Sequence, residues 1–200
     1  MGRFSKKRAQ MVNNHLIARG ITDERVLNTM GTVPRHLFVD EGLREQAYSD
    51  NPLPIGSRQT ISQPYIVALM TEALQLRGTE RVLEIGTGCG YQTAILSELA
   101  ETVFSIERIA SLAFRAQRTL DSLHYYNILI RVGDGTYGWS EESPFDAIIT
   151  TAGAPAIPET LKKQLTVGGK LVIPVGDRSS QVLLRVTRLS EDPDDIRIEN

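Results

Sequence analysis

Closely spaced glycines and a later acidic residue are the part of the sequence best suited to chemistry. Within residues 81–90 an apolar run gives way to Gly86, Gly88 and Gly90. Glycines at such positions let the backbone turn tightly and approach a ligand, because no Cβ blocks the way. Glu107 follows about 20 residues later, where an acidic side chain would accept hydrogen bonds from ribose hydroxyls. The pattern predicts a nucleotide-binding loop.

The glycine spacing favours S-adenosylmethionine over a dinucleotide. The dinucleotide fingerprint G-x-G-x-x-G places its third glycine against a bound pyrophosphate. Here the third glycine comes one residue early, and Tyr91 takes the expected position. Glu107 therefore indicates a ribose, whereas no pyrophosphate is required. Two alternatives stay open: a plain strand-to-helix turn without a ligand, and a nucleotide-dependent oxidoreductase, which the absence of an evident proton-relay pair disfavours.

A second candidate for chemistry is residues 51–64, which contain three prolines and several small polar residues. This composition predicts a long loop rather than a regular strand or helix, and loops of this length are often functional. Pro64 is expected to open a helix, which places Thr60 and Ser62 beside a positive helix terminus that favours a carboxylate. Ser62 would then either bind a substrate or only cap the helix.

The elements that must position these residues alternate between strand and helix. The sequence predicts strands at 82–85, 103–106, 128–132, 144–151, 170–175 and 182–189, and helices at 64–74, 91–99, 109–123 and 158–165, with Gly168-Gly169 as a turn. Such alternation predicts an α/β fold of the Rossmann-like kind, with a mostly parallel central sheet and helices on both faces.

Ligands of such sheets bind beyond the carboxyl ends of the strands. Gly86, Glu107, Asp134 and the turn near Thr151 are therefore expected to converge on one crevice. Asp134 would accept a hydrogen bond from the exocyclic amine of an adenine. Alternatively, it forms an ordinary Gly-Asp-Gly turn.

Both ends of the chain are expected to be structural. Apolar residues recur at helical spacing between residues 6 and 19, and Gly20 closes that segment. Thr22 is the expected N-cap of a second helix that ends near Met30. These helices form a small N-terminal cap. The last ten residues hold five carboxylates and predict a solvated end.

Composition restricts the class of protein. The 22 basic and 24 acidic residues nearly cancel and form no long basic run, so nucleic acid is not an expected partner. Cys89 is the single cysteine and the three histidines show no ligand spacing, which disfavours a metal site. No apolar run suits a bilayer and no secretory signal is evident. We therefore expect a cytoplasmic, metal-free monomer that does not bind membranes.

Assembled in this way, the sequence resembles the protein-L-isoaspartate (D-aspartate) O-methyltransferase family over roughly residues 10–190. The Thr-Ile-Ser-Gln-Pro stretch at 60–64 is the most selective part of the match. The other supporting segments are residues 33–39, 53–56, 82–93, 133–135, 144–148 and 168–176.

The resemblance implies an S-adenosylmethionine-dependent enzyme that methylates the carboxylate of L-isoaspartyl and D-aspartyl residues in damaged proteins, with S-adenosylhomocysteine as product. Ser62 corresponds to the active-site serine of the family. The cofactor-binding positions carried over with it are Thr60, Ile61, Glu84, Gly86, Thr87, Gly88, Glu107, Arg108, Asp134 and Gly135.

The resemblance also predicts the domain organisation. Residues 1–200 would form one methyltransferase domain, with a helical cap at 1–50, an active-site loop at 51–64 and a cofactor-binding α/β core at 65–200. Family members usually continue with an apolar segment of the Arg-Phe-Val-Pro-Leu type, which is missing here. That departure leaves one further alternative, a module that keeps the cofactor fold for binding alone.

Overall fold

A seven-stranded sheet lies at the centre of the fold. The computed structural model describes residues 2–177 and 179–200. A separate antiparallel hairpin comes first, formed by β1 (Leu53–Gly56) and β2 (Gln59–Ile61). The central sheet contains β3 (Arg81–Ile85), β4 (Thr102–Glu107), β5 (Ile128–Val132), β6 (Phe145–Thr150), β7 (Leu165–Gly176), β8 (Gln181–Arg188) and β9 (Ile196–Glu199).

The strand order in this sheet is β5-β4-β3-β6-β7-β8-β9. The strands β5, β4, β3, β6 and β7 are parallel, and β8 and β9 are antiparallel to their neighbours. The chain order reverses between β3 and β6, which is where open α/β sheets bind their ligands. The prediction of a mostly parallel sheet is confirmed, as is the antiparallel strand near residues 182–189.

Helices cover both faces of the sheet. They are α1 (Ser5–Met11), α2 (Glu24–Thr32), α3 (Pro64–Leu74), α4 (Tyr91–Ser97), α5 (Ala110–Ser122) and α6 (Glu159–Lys163). Adjacent residues of β3 pack into two different cores: Val82 joins the cluster on the side of α3, α4 and α5, and Leu83 joins the cluster on the side of α6. This alternation explains why the strand is apolar on successive positions.

The N-terminal cap packs into the first of these two cores. Helix α1 continues through a π-helical turn (Val12–Leu16) and a 3-10 turn (Ile17–Arg19) and ends at Gly20, whose φ is 93°. Met11 and Leu16 are fully buried. The predicted helix and its glycine C-cap are therefore confirmed.

Helix α2 does not begin as the sequence suggested. Asp23 is the N-cap, because its carboxylate accepts hydrogen bonds from the backbone N–H of Arg25 and Val26. Thr22 instead donates its own N–H to Glu72 at 2.7 Å. The prediction of Thr22 as the cap was wrong by one residue, since Asp23 is also of a type favoured at this position; Glu72 binds the N–H groups of both residues.

Residues 51–64 are more regular than predicted. Leu53 pairs with Ile61 and Pro54 with Thr60 in the β1–β2 hairpin. Its turn holds Ser57 and Arg58 at φ 50° and 58°. Two-residue hairpin turns with both φ values positive usually use Asn or Gly, so this sequence carries no turn signal.

Two further predictions need correction near the C-terminus. Residues 168–169 do not form a turn into a new strand but lie inside β7, which bulges there: Phe145 pairs with Leu165, and Ala147 already pairs with Lys170. The last ten residues are exposed or half-buried, as predicted for a solvated end, but part of them forms a strand. Strand β9 pairs with β8, and Glu199 bonds Arg185 at 2.9 Å.

Candidate active site

A cavity of about 270 Å³ lies at the carboxyl ends of β3, β4 and β6. Its walls come from the glycine loop, the end of β4, the β2 strand with the start of α3, and the turn after β6. The sequence-predicted residues that line it are Thr60, Ile61, Ser62, Gly86, Thr87, Gly88, Glu107, Arg108 and Gly135. Segments distant in sequence thus meet at one place, and Thr151 is among them as expected.

Hydrogen bonds from Thr151 and the conformations of two glycines fix the shape of the glycine loop. Gly86 has φ 99°, and a Cβ there would overlap the hydroxyl of Thr151. Thr151 Oγ1 donates to the carbonyl oxygen of Gly86 at 2.7 Å, and its backbone N–H donates to Ile85 at 2.9 Å. Gly90, at φ 89°, lets α4 begin against Ala116 of α5. The first glycine therefore serves the loop, and the third serves helix packing.

Glu107 connects the glycine loop to the residues that precede α5. It is only 6% exposed. Its Oε2 accepts the backbone N–H of Gly88 at 2.8 Å, and its Oε1 accepts that of Ile109 at 2.8 Å. An ionised carboxylate has about four lone-pair sites, so each oxygen keeps capacity for one further donor. The residue is thus fixed in orientation and still able to accept from two hydroxyls.

Glu84 was predicted to bind the cofactor, but it does not lie at the cavity surface. Its side chain is fully buried beneath the loop and does not line the cavity. Oε2 accepts from Thr93 and Ser105, each at 2.6 Å, and Ser105 is in turn 2.6 Å from the hydroxyl of Thr87. Burial raises the pKa of Glu84 to about 8. In this arrangement the hydrogen bonds of Glu84 are made within the protein, to side chains beneath the glycine loop.

Asp134 also lies outside the cavity lining. Its exposed carboxylate accepts from the backbone N–H of Thr136 at 2.9 Å and from its hydroxyl at 2.8 Å. These hydrogen bonds lower the pKa of Asp134. The Gly-Asp-Gly turn, which the sequence left open as the alternative, is what the structure contains. Gly135 does line the cavity, and a Cβ at this position would overlap Ile85.

Ser62 follows β2 and half-buries its side chain against the cavity. It is not a helix cap: the N-cap of α3 is Gln63, without a side-chain cap bond, and the N–H of Tyr65 donates to Asp50 at 2.9 Å. The helix terminus binds a carboxylate, as its positive end favours, but the carboxylate is that of Asp50 in the same chain. Across residues 2–177 and 179–200 the hydroxyl of Ser62 has no hydrogen-bond partner, so it is the available donor at this point.

Several lining residues were not singled out from the sequence. They are mainly apolar or amide side chains: Ile55, Met70, Ile85, Gln92, Ile106 and Ile109. Ile85 is the last residue of β3 and Ile106 the last but one of β4. Their position at the carboxyl ends of parallel strands could have identified them as lining residues. The others reach the site only through tertiary packing.

Cys89 also lines the cavity but is poorly suited to nucleophilic chemistry. Burial raises the pKa of its thiol to about 11, so it stays protonated at neutral pH. In the described parts of the chain, no cluster of three or more His, Cys, Asp or Glu side chains could hold a metal ion. Nor does any helix there have the length and apolar character needed to cross a membrane.

Comparisons with known proteins agree with this geometry. The family model described as protein-L-isoaspartate (D-aspartate) O-methyltransferase matches residues 6–199. A protein-L-isoaspartate O-methyltransferase of Syntrophus aciditrophicus is 65% identical over 200 residues, which covers 100% of this chain and 92% of the relative. One from Syntrophobacter fumaroxidans is 63% identical over 92% of this chain and 86% of its own length.

Solved structures show the same fold. A protein-L-isoaspartate O-methyltransferase is 30% identical with a TM-score of 0.82, and the match covers 92% of this chain but 60% of that chain. A Plasmodium falciparum structure described as the same kind of enzyme, in complex with S-adenosyl-L-homocysteine, gives a TM-score of 0.81 at 27% identity, over 96% of this chain and 93% of that chain. The chain belongs to the protein-L-isoaspartate (D-aspartate) O-methyltransferase family.

Proposed function

We propose that this protein is a repair enzyme, which transfers a methyl group from S-adenosylmethionine to the carboxylate of L-isoaspartyl and D-aspartyl residues in damaged proteins. One observation carries the proposal beyond family membership. Ser62, whose hydroxyl has no partner in the described residues, lines the same cavity as the glycine loop and Glu107. A carboxylate-binding donor and a nucleoside-binding wall therefore share one enclosed space.

The residues present fit S-adenosylmethionine. Glu107 has acceptor capacity for the two ribose hydroxyls while it holds the N–H of Gly88, and Gly88 lines the cavity without a side chain. Ile85, Ile106 and Ile109 offer an apolar surface for the adenine ring. When bound, S-adenosylmethionine supplies a methyl group that passes to a carboxylate oxygen and leaves S-adenosylhomocysteine.

The substrate needs little activation by the protein. A side-chain carboxylate has an ordinary pKa near 4 and is ionised at neutral pH, so no general base has to deprotonate it. Ser62 acts as a hydroxyl donor that orients the carboxylate. No histidine lines the cavity to activate Ser62 as a nucleophile. Holding the reacting groups in line can contribute on the order of 7 to 11 kcal/mol.

The domain organisation, oligomeric state, cellular location and partners are further parts of the proposal. We propose one domain with a helical cap at 1–50, an active-site segment at 51–64 and a core at 65–200, because the cap shares a hydrophobic core with β3. We propose a monomer, since one chain supplies the glycine loop, Glu107 and Ser62 that line the cavity. We also propose a cytoplasmic location, which a chain with a single cysteine suits. The nearly balanced charge supports the absence of a nucleic-acid partner.

Transfer of labelled methyl to an isoaspartyl peptide tests the proposal, with the matching aspartyl peptide as control. We expect incorporation into the isoaspartyl peptide alone. Binding of S-adenosylmethionine without transfer to any isoaspartyl peptide would instead favour a module that only binds. Binding of NADH in place of S-adenosylmethionine would favour the oxidoreductase alternative.

A further inference from the structure

Arg35 of the N-terminal cap is a fully buried arginine. It begins a short 3-10 turn (Arg35–Leu37) that follows Pro34. Burying a charged group is unfavourable unless partners replace the lost water. No carboxylate of the described residues lies within ion-pair distance of this guanidinium. A residue of similar volume without charge would fill the space more favourably, so packing alone does not explain the arginine.

The partners that Arg35 does have point toward the active site. Its Nη2 donates to the carbonyl oxygen of Ser62 at 2.7 Å, and its Nε donates to that of Ala47 at 2.8 Å. Its Cζ lies 4.8 Å from the ring centre of Tyr91, which opens α4 directly after the glycine loop and lines the cavity. Nη1 has no hydrogen-bond partner among the described residues.

Through these contacts one side chain connects the N-terminal cap, the segment of Ser62 and the start of α4. The bond to Ala47 fixes the guanidinium to the cap, and the bond to Ser62 fixes the backbone of the residue that orients the substrate. Charge-assisted hydrogen bonds of this kind are stronger than neutral ones. A planar guanidinium can hold both carbonyls at once, whereas the single ammonium of a lysine presents no such rigid fork.

We propose that Arg35 is a positioning residue for methyl transfer, which acts by holding the backbone of Ser62 in place. The proposal rests on the proposed function. Asp50 gives a second anchor on the same segment, because it binds the N–H of Tyr65 at 2.9 Å. The cap therefore has a part in the reaction as well as in the fold.

The test is a double-mutant cycle with the full chain. Wild type, Arg35→Lys, Ser62→Ala and the double variant are compared for kcat and KM with an isoaspartyl peptide. The concentration of folded enzyme is set by titration with S-adenosylhomocysteine. We expect Arg35→Lys to lower kcat/KM on the order of 10- to 100-fold in the wild-type background. In the Ser62→Ala background the same change should have less than about a twofold effect, because the hydroxyl that Arg35 holds in position through the backbone is already absent.

Arg188 provides the matched control. It is also a buried arginine that donates to backbone carbonyls, those of Leu165 at 2.6 Å and Ser190 at 2.9 Å. Leu165 begins β7 and pairs with the first residue of β6, so it lies at the amino-terminal ends of the parallel strands, away from the cavity. Arg188→Lys should lower the urea midpoint of unfolding without changing kcat/KM of the folded enzyme.

Equal losses from Arg35→Lys in both backgrounds would overturn the proposal, as would no loss at all or an equal loss from Arg188→Lys. If Arg35→Lys does not fold, Arg35→Gln makes the same comparison, because it keeps a donor without the charge. Wild-type activity on the isoaspartyl peptide is measured first. Its absence would refute the proposed function itself, whereas activity without coupling between Arg35 and Ser62 would refute only the role of Arg35.

Discussion

Replacing Glu107 with glutamine changes one atom at the most constrained polar position of the site. The carboxylate accepts backbone N–H groups on both oxygens, from Gly88 and Ile109, each at 2.8 Å. Glutamine retains one acceptor oxygen and turns a donor toward the other N–H. One charged hydrogen bond is lost within the protein. One of the two acceptors proposed for the ribose is lost as well.

The magnitude follows from the strength of such bonds. A hydrogen bond to a charged group contributes about 1.5 to 3 kcal/mol. We expect Glu107→Gln to weaken binding of S-adenosylhomocysteine by about 1 to 3 kcal/mol, a rise in Kd of roughly 5- to 150-fold. Isothermal titration calorimetry, performed well below the midpoint of thermal unfolding, measures this change.

Glu80 offers a control that separates binding from stability. Its carboxylate accepts the N–H groups of Arg77 and Gly78 at 2.8 Å and of Thr79 at 3.0 Å. It precedes β3, at the end of the strand away from the cavity. Glu80→Gln should lower the free energy of unfolding as Glu107→Gln does, with Kd unchanged. An unchanged Kd in Glu107→Gln, or an equal loss of affinity in both variants, would refute the reasoning.

Three further changes test other parts of the site. Ser62→Ala should lower kcat on the order of tenfold or more and leave the Kd of S-adenosylhomocysteine nearly unchanged; an equal loss of both, in rate and calorimetric assays, would remove Ser62 from the chemistry. Gly86→Ala should lower the free energy of unfolding by about 1 to 3 kcal/mol in urea titrations, because its φ of 99° is unfavourable for alanine and its Cβ would overlap Thr151. Burial raises the pKa of Glu84 from 4.5 to about 8, so the folded protein keeps a proton there that the unfolded chain has lost. The contribution of Glu84 to the free energy of unfolding should therefore fall as pH rises from about 4.5 to 8, by at most about 1.4 kcal/mol per pH unit, and Glu84→Gln should remove this slope. Parallel slopes in the two proteins would contradict the buried, protonated state.

Local patterns predicted the central elements well. The apolar runs of β3 and β4 and the glycine loop after β3 are defined by neighbours in sequence, and their convergence with Thr151 follows from the rule for parallel strands. Pro64 marks the start of α3 correctly because its missing N–H and fixed φ suit the first helical turn.

The features that sequence did not predict depend on distant partners. Asp50 binds the N–H of Tyr65 in the first turn of α3, which the local sequence does not indicate, and the N-cap of α2 is Asp23, one residue after the predicted Thr22. The turn at Ser57 and Arg58 adopts positive φ without glycine, which propensity alone does not indicate. Arg35 reaches Ser62 across 27 positions of sequence, and only the folded cap reveals that contact.

Glu84 shows a different limit. The motif places a carboxylate beside the glycine loop, but side chains alternate along a strand, and Glu84 points to the face of the sheet that α4 covers, where Thr93 and Ser105 bind it. Asp134 likewise bonds within its own turn. The motif therefore predicted which segments meet at the cavity, whereas the direction of each side chain depends on its local hydrogen bonds.

A crystal structure of the protein with S-adenosylhomocysteine and an isoaspartyl peptide tests the central claim most directly. The account predicts the ribose on Glu107, and a substrate carboxylate oxygen about 2.5 to 3.0 Å from the hydroxyl of Ser62, facing the ligand sulfur. A complex in which the sulfur lies away from Ser62, with the carboxylate bound elsewhere, would contradict it.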